Sequence, residues 1–306
     1  MKNVRHVNET FLITVLIAVV ASFVFGRIPL IRRLPIVNLL LSQLIFVIPI
    51  MIYLIRGRQN VKKLLRFHKI CLPNVALLIV FAFFISPLLS FLNVVSLLFT
   101  TNEVSDTISN IVGSYPLIIS VMTVAMLPAV LEEIVYRGVF FHEYRNLNPR
   151  KGVILSAFLF GLMHMNFNQF FYAFVMGMIF AIIVEATDSI LSSMIVHFTI
   201  NASSVLLAYF IPKMQNIMGN QTFDAVQLNH KVLLPIIAFY GVVAVFSTIV
   251  AFIILKVIAA NAKRPNALKN LFVEQTNIKI EWLDLLPLFF GIVICLGIMV
   301  YQQCLV

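Results

Sequence analysis

Residues 116–142 read PLIISVMTVAMLPAVLEEIVYRGVFFH, an apolar run with Glu132, Glu133 and Arg137 set inside it. About 20 residues of helix, rising about 1.5 Å each, cross a hydrocarbon core of about 30 Å, so the run is long enough to span a bilayer. Ionised groups at such depth are costly and persist where they pair, face a water-filled cavity or carry chemistry. The stretch Leu131-Glu132-Glu133-Ile134-Val135-Tyr136-Arg137-Gly138 therefore marks both a membrane helix and a functional site within it.

The rest of the chain extends the first conclusion. Of its 306 residues, 61% are hydrophobic and only 11% charged, with a mean hydropathy of +1.02. Apolar stretches recur at about 10–26, 36–55, 73–99, 116–142, 152–166, 168–186, 189–211, 231–259 and 284–303. They predict an all-α polytopic membrane protein with about eight or nine transmembrane helices, eight if the short segments at 152 and 168 form a bent pair. Residues 1–115 hold N-terminal membrane helices and a basic interfacial segment, 116–211 the core that carries the polar groups, and 212–306 the C-terminal membrane helices. The polar connections near 100–115, 212–230 and 260–282 are too short to fold alone. Lys2 and Arg5 precede the first stretch as in a signal peptide, but Val20-Ala21-Ser22-Phe23-Val24-Phe25 offers no convincing small-residue cleavage site, so a retained helix is expected. Cys71, Cys295 and Cys304 are scattered and indicate neither a disulfide framework nor a thiolate metal site.

The formal charge is +10, yet the basic residues fall between apolar spans rather than on one soluble face. Anionic lipid headgroups, not nucleic acid, are the expected partner. Clusters at 56–69, 145–151 and 256–279 all fall on one side of an alternating nine-span topology, which the positive-inside rule makes cytoplasmic. Arg27, Arg32 and Arg33 fall on the other side and leave the orientation of the first two helices open. The stretches 56–69 and 262–281 mix charge with Leu, Phe and Trp, as an interfacial helix would.

Beyond the Glu pair, Phe160-Gly161-Leu162-Met163-His164 and His197-Phe198-Thr199-Ile200-Asn201 place polar groups in further apolar stretches. His197 and Asn201 are four residues apart, hence on one helix face. Measured from the expected cytoplasmic helix ends, Glu132 lies roughly 15 Å deep, His164 roughly 18 Å and His197 roughly 12 Å. Three separate helices thus bring polar groups to one level.

Glu-Glu-x-x-x-Arg at 132–137, Phe-x-x-x-His at 160–164 and His-x-x-x-Asn at 197–201, in this order, resemble the motifs of the CPBP family of CAAX proteases and bacteriocin-processing enzymes, also called Abi. The resemblance covers roughly residues 116–205 and all three motifs match without substitution. It implies an intramembrane endopeptidase with a helical catalytic core, acting on a lipidated or membrane-associated peptide or protein, in some members a prenylated one. It further implies that Glu132 and His164 activate a water while His197 and Asn201 stabilise the oxyanion.

The residue types suit that chemistry independently. Peptide hydrolysis needs a base for the attacking water and donors for the developing oxyanion. Glu133 and Arg137, spaced i, i+4, have the favourable orientation for a helix ion pair and are expected to hold the helix so that Glu132 faces the cavity. Phe160 is expected to support the site. His142-Glu143 lacks the second histidine of a His-Glu-x-x-His zinc motif, and no Gly-x-Ser-x-Gly accompanies a serine. No cofactor is expected; the alternative is zinc on Glu132, His164 and His197, since a carboxylate with two imidazoles is an accepted catalytic set. Asn166, Asn168 and Gln169 follow His164 and are read as caps of the next helix, with the lining of a substrate path as the alternative; Glu185 and Asp188 are read as caps at a helix-helix turn. A transporter relaying protons, or an immunity or scaffold protein on the same fold, are the alternative functions. The site is expected to open to the cytoplasmic side of a cell membrane.

Overall fold

The computed structural model describes residues 2–57, 60–100, 103–217, 230–271, 273 and 281–305. Among them the regular structure is helical, with no strand. The helices used below are α1 (Lys2–Phe25), α2 (Pro35–Arg56), α3 (Val61–Leu65), α4 (Leu72–Ser96), α5 (Glu103–Ser114), α6 (Leu117–Arg145), α7 (Pro149–Leu162), α8 (Phe167–Thr187), α9 (Ile190–Ile217), α10 (His230–Asn261) and α11 (Trp282–Leu305). Eight of these, α1, α2, α4, α6, α8, α9, α10 and α11, are long and apolar enough to cross a membrane, and the protein is an integral multi-pass membrane protein. Their outward faces carry exposed Phe, Ile, Leu and Val, such as Phe239, Phe246 and Ile253 on α10, the surface that lipid tails solvate.

The stretch expected at 152–166 is the exception. Helix α7 has 14 residues, about 21 Å of rise, and stops short of a span. It forms an antiparallel hairpin with α8, the paired arrangement under which eight membrane-crossing helices were expected. Asn148 caps α7 by accepting from the Lys151 amide at 3.0 Å, and Asn166 caps α8 by accepting from the Gln169 amide at 3.2 Å. Asn168 is not a cap: its Nδ2 donates to Ser96 Oγ of α4 at 2.7 Å, across the helix interface. Gly177 lets the hairpin close, because a Cβ there would stand 2.9 Å from the Ala157 Cα.

Helix α6 lies at the centre, packed against α2, α3, α7, α8 and α9. It alternates between α and π winding, with π segments at Val121–Met126 and Ile134–Phe141 on either side of the α segment Leu127–Glu133. Pro128 has no amide hydrogen, and its ring would crowd the carbonyl four residues back, so a widened turn before it relieves that clash. Gly138 makes room for the Leu65 tip of α3, which a Cβ would meet at 2.3 Å.

Helices have little hydrophobic reason to associate in lipid, so packing and interhelical hydrogen bonds tie them. Tyr144 donates to Asn8 Oδ1 at 2.6 Å, and Asn8 Nδ2 donates to the Asp284 carbonyl at 2.7 Å, joining α6, α1 and α11. Tyr53 donates to Glu143 at 2.9 Å between α2 and α6, and Asn74 Nδ2 donates to the Ile258 carbonyl at 3.1 Å between α4 and α10.

One end of the bundle is fastened by charge, and here two expectations change. Glu185 is not a helix cap but a hub: Arg145 Nε and Nη2 donate to its two oxygens at 2.6 and 2.7 Å, and Arg66 and Arg264 each approach at 3.4 Å. Asp188 ends α8 in the left-handed region at φ 55° and its carboxylate pairs with Arg66 at 3.5 Å and with Arg264 at 3.7 Å. Arg66 is itself buried; burial and the like charge of Arg145 lower its pKa, while Glu185 and Asp188 raise it. The basic segment 56–69 is thus not one interfacial helix: Leu64, Leu65 and Arg66 turn inward, and only flanking residues such as Lys62 and Lys63 stay exposed. Of the other expected interfacial stretch, residues 272 and 274–280 lie outside the described residues, as do 218–229 of the connection at 212–230.

Candidate active site

Glu132 and Glu133 end the short α segment of α6, and the turn sends their carboxylates to different surroundings. The Glu133 side chain is fully buried, at 0% exposure. Its Oε1 lies 3.1 Å from Arg137 Nη1 and 3.0 Å from His197 Nδ1. Arg137 also donates through Nη2 to the Gly177 carbonyl at 3.2 Å. Its guanidinium lies 4.5 Å from the Phe160 ring centre and 5.0 Å from that of Phe180, so two aromatic faces help to solvate the charge in place of water. This layer is closed.

Glu132 differs. Its side chain retains 14% exposure and takes one firm hydrogen bond, from Gln43 Nε2 of α2 to Oε1 at 3.0 Å. Oε2 faces His197 Nε2 at 3.9 Å, an ion-pair separation too long for a hydrogen bond. His197 thus stands between the carboxylates, and Phe180 flanks its ring at a centroid distance of 5.0 Å. With Glu133 ionised, Nδ1 is the donor toward it, so Nε2 carries a hydrogen only in the imidazolium.

His164 sits just beyond the end of α7, half-buried. Its Nδ1 lies 2.8 Å from the Phe160 carbonyl, which can only accept; Nδ1 therefore carries the hydrogen and the neutral ring keeps its lone pair on Nε2. The next residue, Met165, takes φ 50°, a left-handed conformation that costs a non-glycine residue about 1 to 3 kcal/mol and turns the chain directly after the imidazole. No hydrogen bond joins His164 to Glu132. What links the motifs is Phe160, whose ring lies 5.0 Å from that of His164 and 6.2 Å from that of His197.

Asn201 is half-buried one turn beyond His197 on α9. Its Nδ2 donates to the Val124 carbonyl of α6 at 3.4 Å. In a regular helix that carbonyl would pair with the amide of residue 128, which Pro128 lacks. The asparagine therefore also supports the backbone of α6. Among the described residues, no three His, Cys, Asp or Glu side chains are grouped to hold a metal ion.

Gln43 and Phe180 escaped the sequence reading. Phe180 looks like any apolar residue of α8. Gln43 carried a signal, an amide within an apolar helix, but no motif accompanied it.

Fold and site define a multi-pass membrane protein with carboxylate and imidazole groups gathered between its helices. Residues 114–203 match the family model described as type II CAAX prenyl endopeptidase, Rce1-like, consistent with the CPBP resemblance. The match holds all three motifs, whereas α1, α2, α4, α10 and α11 lie outside it. No curated protein and no solved structure matches the chain.

Proposed function

We propose that this protein is an intramembrane endopeptidase that hydrolyses lipidated or membrane-associated peptides near their terminus, a prenylated peptide being the first candidate. Glu132 carries the reading: it is an accessible carboxylate between membrane helices with one neutral donor and an imidazole on its other side. In this mechanism a water lies between Glu132 and Nε2 of His164. Glu132 takes a proton as the water oxygen bonds to the scissile carbonyl carbon, and the carbonyl π pair moves to oxygen. His197 Nε2–H, in the imidazolium form, and Asn201 Nδ2–H donate to that oxyanion. Its collapse breaks the C–N bond, and the proton held by Glu132 passes to the leaving amine. Glu133 and Arg137 act by fixing His197 and the helix.

The proposal is metal-free, in keeping with an Asn201 better suited to donate than to ligate zinc. It also places the site on the cytoplasmic side of a cell membrane, following the basic loops, with Lys62 and Lys63 meeting anionic headgroups. Mass spectrometry of membrane peptides from cells carrying wild-type or Glu132→Ala protein tests it. Cleaved termini present only with the wild type are expected; identical peptide sets would overturn turnover and favour an immunity or scaffold role.

A further inference from the structure

The three motifs lie on α6, on α7 with the turn that follows it, and on α9, yet among the described residues the hydrogen bond that holds the Glu132 carboxylate comes from α2. Gln43 is buried, at 4% exposure, near the middle of an apolar helix. Its Nε2 donates to Glu132 Oε1 at 3.0 Å, while its own Oε1 is buried without a partner. The two ends of this amide are chemically different, and that fixes how it sits. Turned over, it would set its oxygen against a carboxylate oxygen at the same 3.0 Å, two acceptors with no hydrogen between them. The unpaired oxygen costs desolvation energy. The arrangement therefore gives up one good hydrogen bond so that the donor can face Glu132.

A neutral donor is what a base requires. A guanidinium at this position would clamp the carboxylate and neutralise it, as Arg145 does to Glu185 through two bonds of 2.6 and 2.7 Å. An amide restricts rotation of the carboxylate with one hydrogen bond and leaves its charge in place. With Oε1 held, Oε2 is directed to the side where His197 Nε2 stands at 3.9 Å.

We propose that Gln43 is a positioning residue for Glu132: the α2 amide orients the carboxylate so that Oε2 is presented to the reacting water, and a helix outside the matched domain thereby completes the site. The inference rests on Glu132 being the base, as proposed above.

The test uses the full-length protein in liposomes, an internally quenched farnesylated peptide ending in a CAAX sequence, and Gln43→Met, which keeps length and apolar packing but removes both polar atoms. A hydrogen bond to a charged group sets the expected loss at about 10- to 100-fold in kcat, with KM unchanged within about twofold. A merely structural residue would lower yield or melting temperature and leave kcat per folded molecule near wild type. Wild-type kcat in Gln43→Met, or a change in KM alone, overturns the inference. Glu132→Gln separates the two claims: if it is inactive while Gln43→Met is not impaired, only this inference fails, and if Glu132→Gln is fully active, the base assignment fails first. Melting temperatures of Gln43→Met, Glu132→Leu and the double variant test the contact without substrate. Gln43→Met should lower the melting temperature when Glu132 is present and leave it unchanged or raised when Leu replaces it; equal shifts in both backgrounds overturn the contact.

Discussion

Glu185 and Glu132 are both carboxylates enclosed by helices, and their surroundings assign them opposite work. Glu185 has a bidentate arginine at 2.6 and 2.7 Å and two further guanidinium groups at 3.4 Å. All its acceptor capacity faces fixed positive charge, so it fastens three separate segments and has no oxygen to spare for a reaction. Glu132 has one amide donor at 3.0 Å and an imidazole nitrogen at 3.9 Å. It keeps an open lone pair. Coordination, more than burial, separates the carboxylate that fastens helices from the one proposed as the base.

Breaking that distinction should be easiest at the reactive end. Glu132→Gln and His164→Ala should each remove most turnover, by about 100- to 10,000-fold, the range usual for general acid–base catalysis, with extractable, folded protein retained. Steady-state hydrolysis of the farnesylated peptide measures it, and near-wild-type rate in either variant breaks the assignment.

At the structural end, Glu185→Gln should cost about 3 to 5 kcal/mol of stability, because it leaves three guanidinium groups together with one carboxylate fewer. The protein that remains folded at low temperature should hydrolyse at the wild-type rate. Thermal melting in detergent checks the first part and the rate per folded molecule the second. Glu133 is like Glu185 in stability, but because it also holds His197 its loss should lower activity as well. Glu133→Ala or Arg137→Ala should lower the melting point, and replacing both with apolar residues should recover expression better than either single change. Singles that melt like wild type would mean that the 3.1 Å pair does no structural work.

Asn201 sharpens the comparison, since it bonds backbone and is proposed to serve chemistry. Asn201→Ala should lower kcat about 100- to 1000-fold with little change in KM if it donates to the oxyanion. A loss confined to stability would assign it to the Val124 carbonyl alone. The smallest expected effect is that of a strong chelator: hydrolysis by purified protein should not change, provided that the chelator is shown to reach the site. Stoichiometric zinc lost on mutating His164 would make Glu132 a ligand instead of the base.

Much of this was legible in the sequence because the bilayer imposes a simple rule. Long apolar runs became helices, and polar residues within those runs marked where the helices meet. Hydropathy cannot count residues that cross without a full helix, which is why 152–166 became the short α7 and its turn. Nor does local pattern report partners distant along the chain. Glu185 read as a cap because Arg66, Arg145 and Arg264 come from three separate connections, and nothing singled out Gln43 because its partner is on α6. The π segments of α6 were illegible for a different reason: Pro128 signals a disturbed helix, but whether the chain kinks or widens depends on what packs around it.

The most direct test of the account measures rate and melting temperature together for Glu132→Gln and Glu185→Gln, reconstituted in the same liposomes. The account predicts a crossover: Glu132→Gln melts near wild type and does not cleave the farnesylated peptide, whereas Glu185→Gln melts well below wild type and cleaves normally while folded. A Glu132→Gln protein that cleaves at the wild-type rate, or a Glu185→Gln protein that melts like wild type but no longer cleaves, would contradict it.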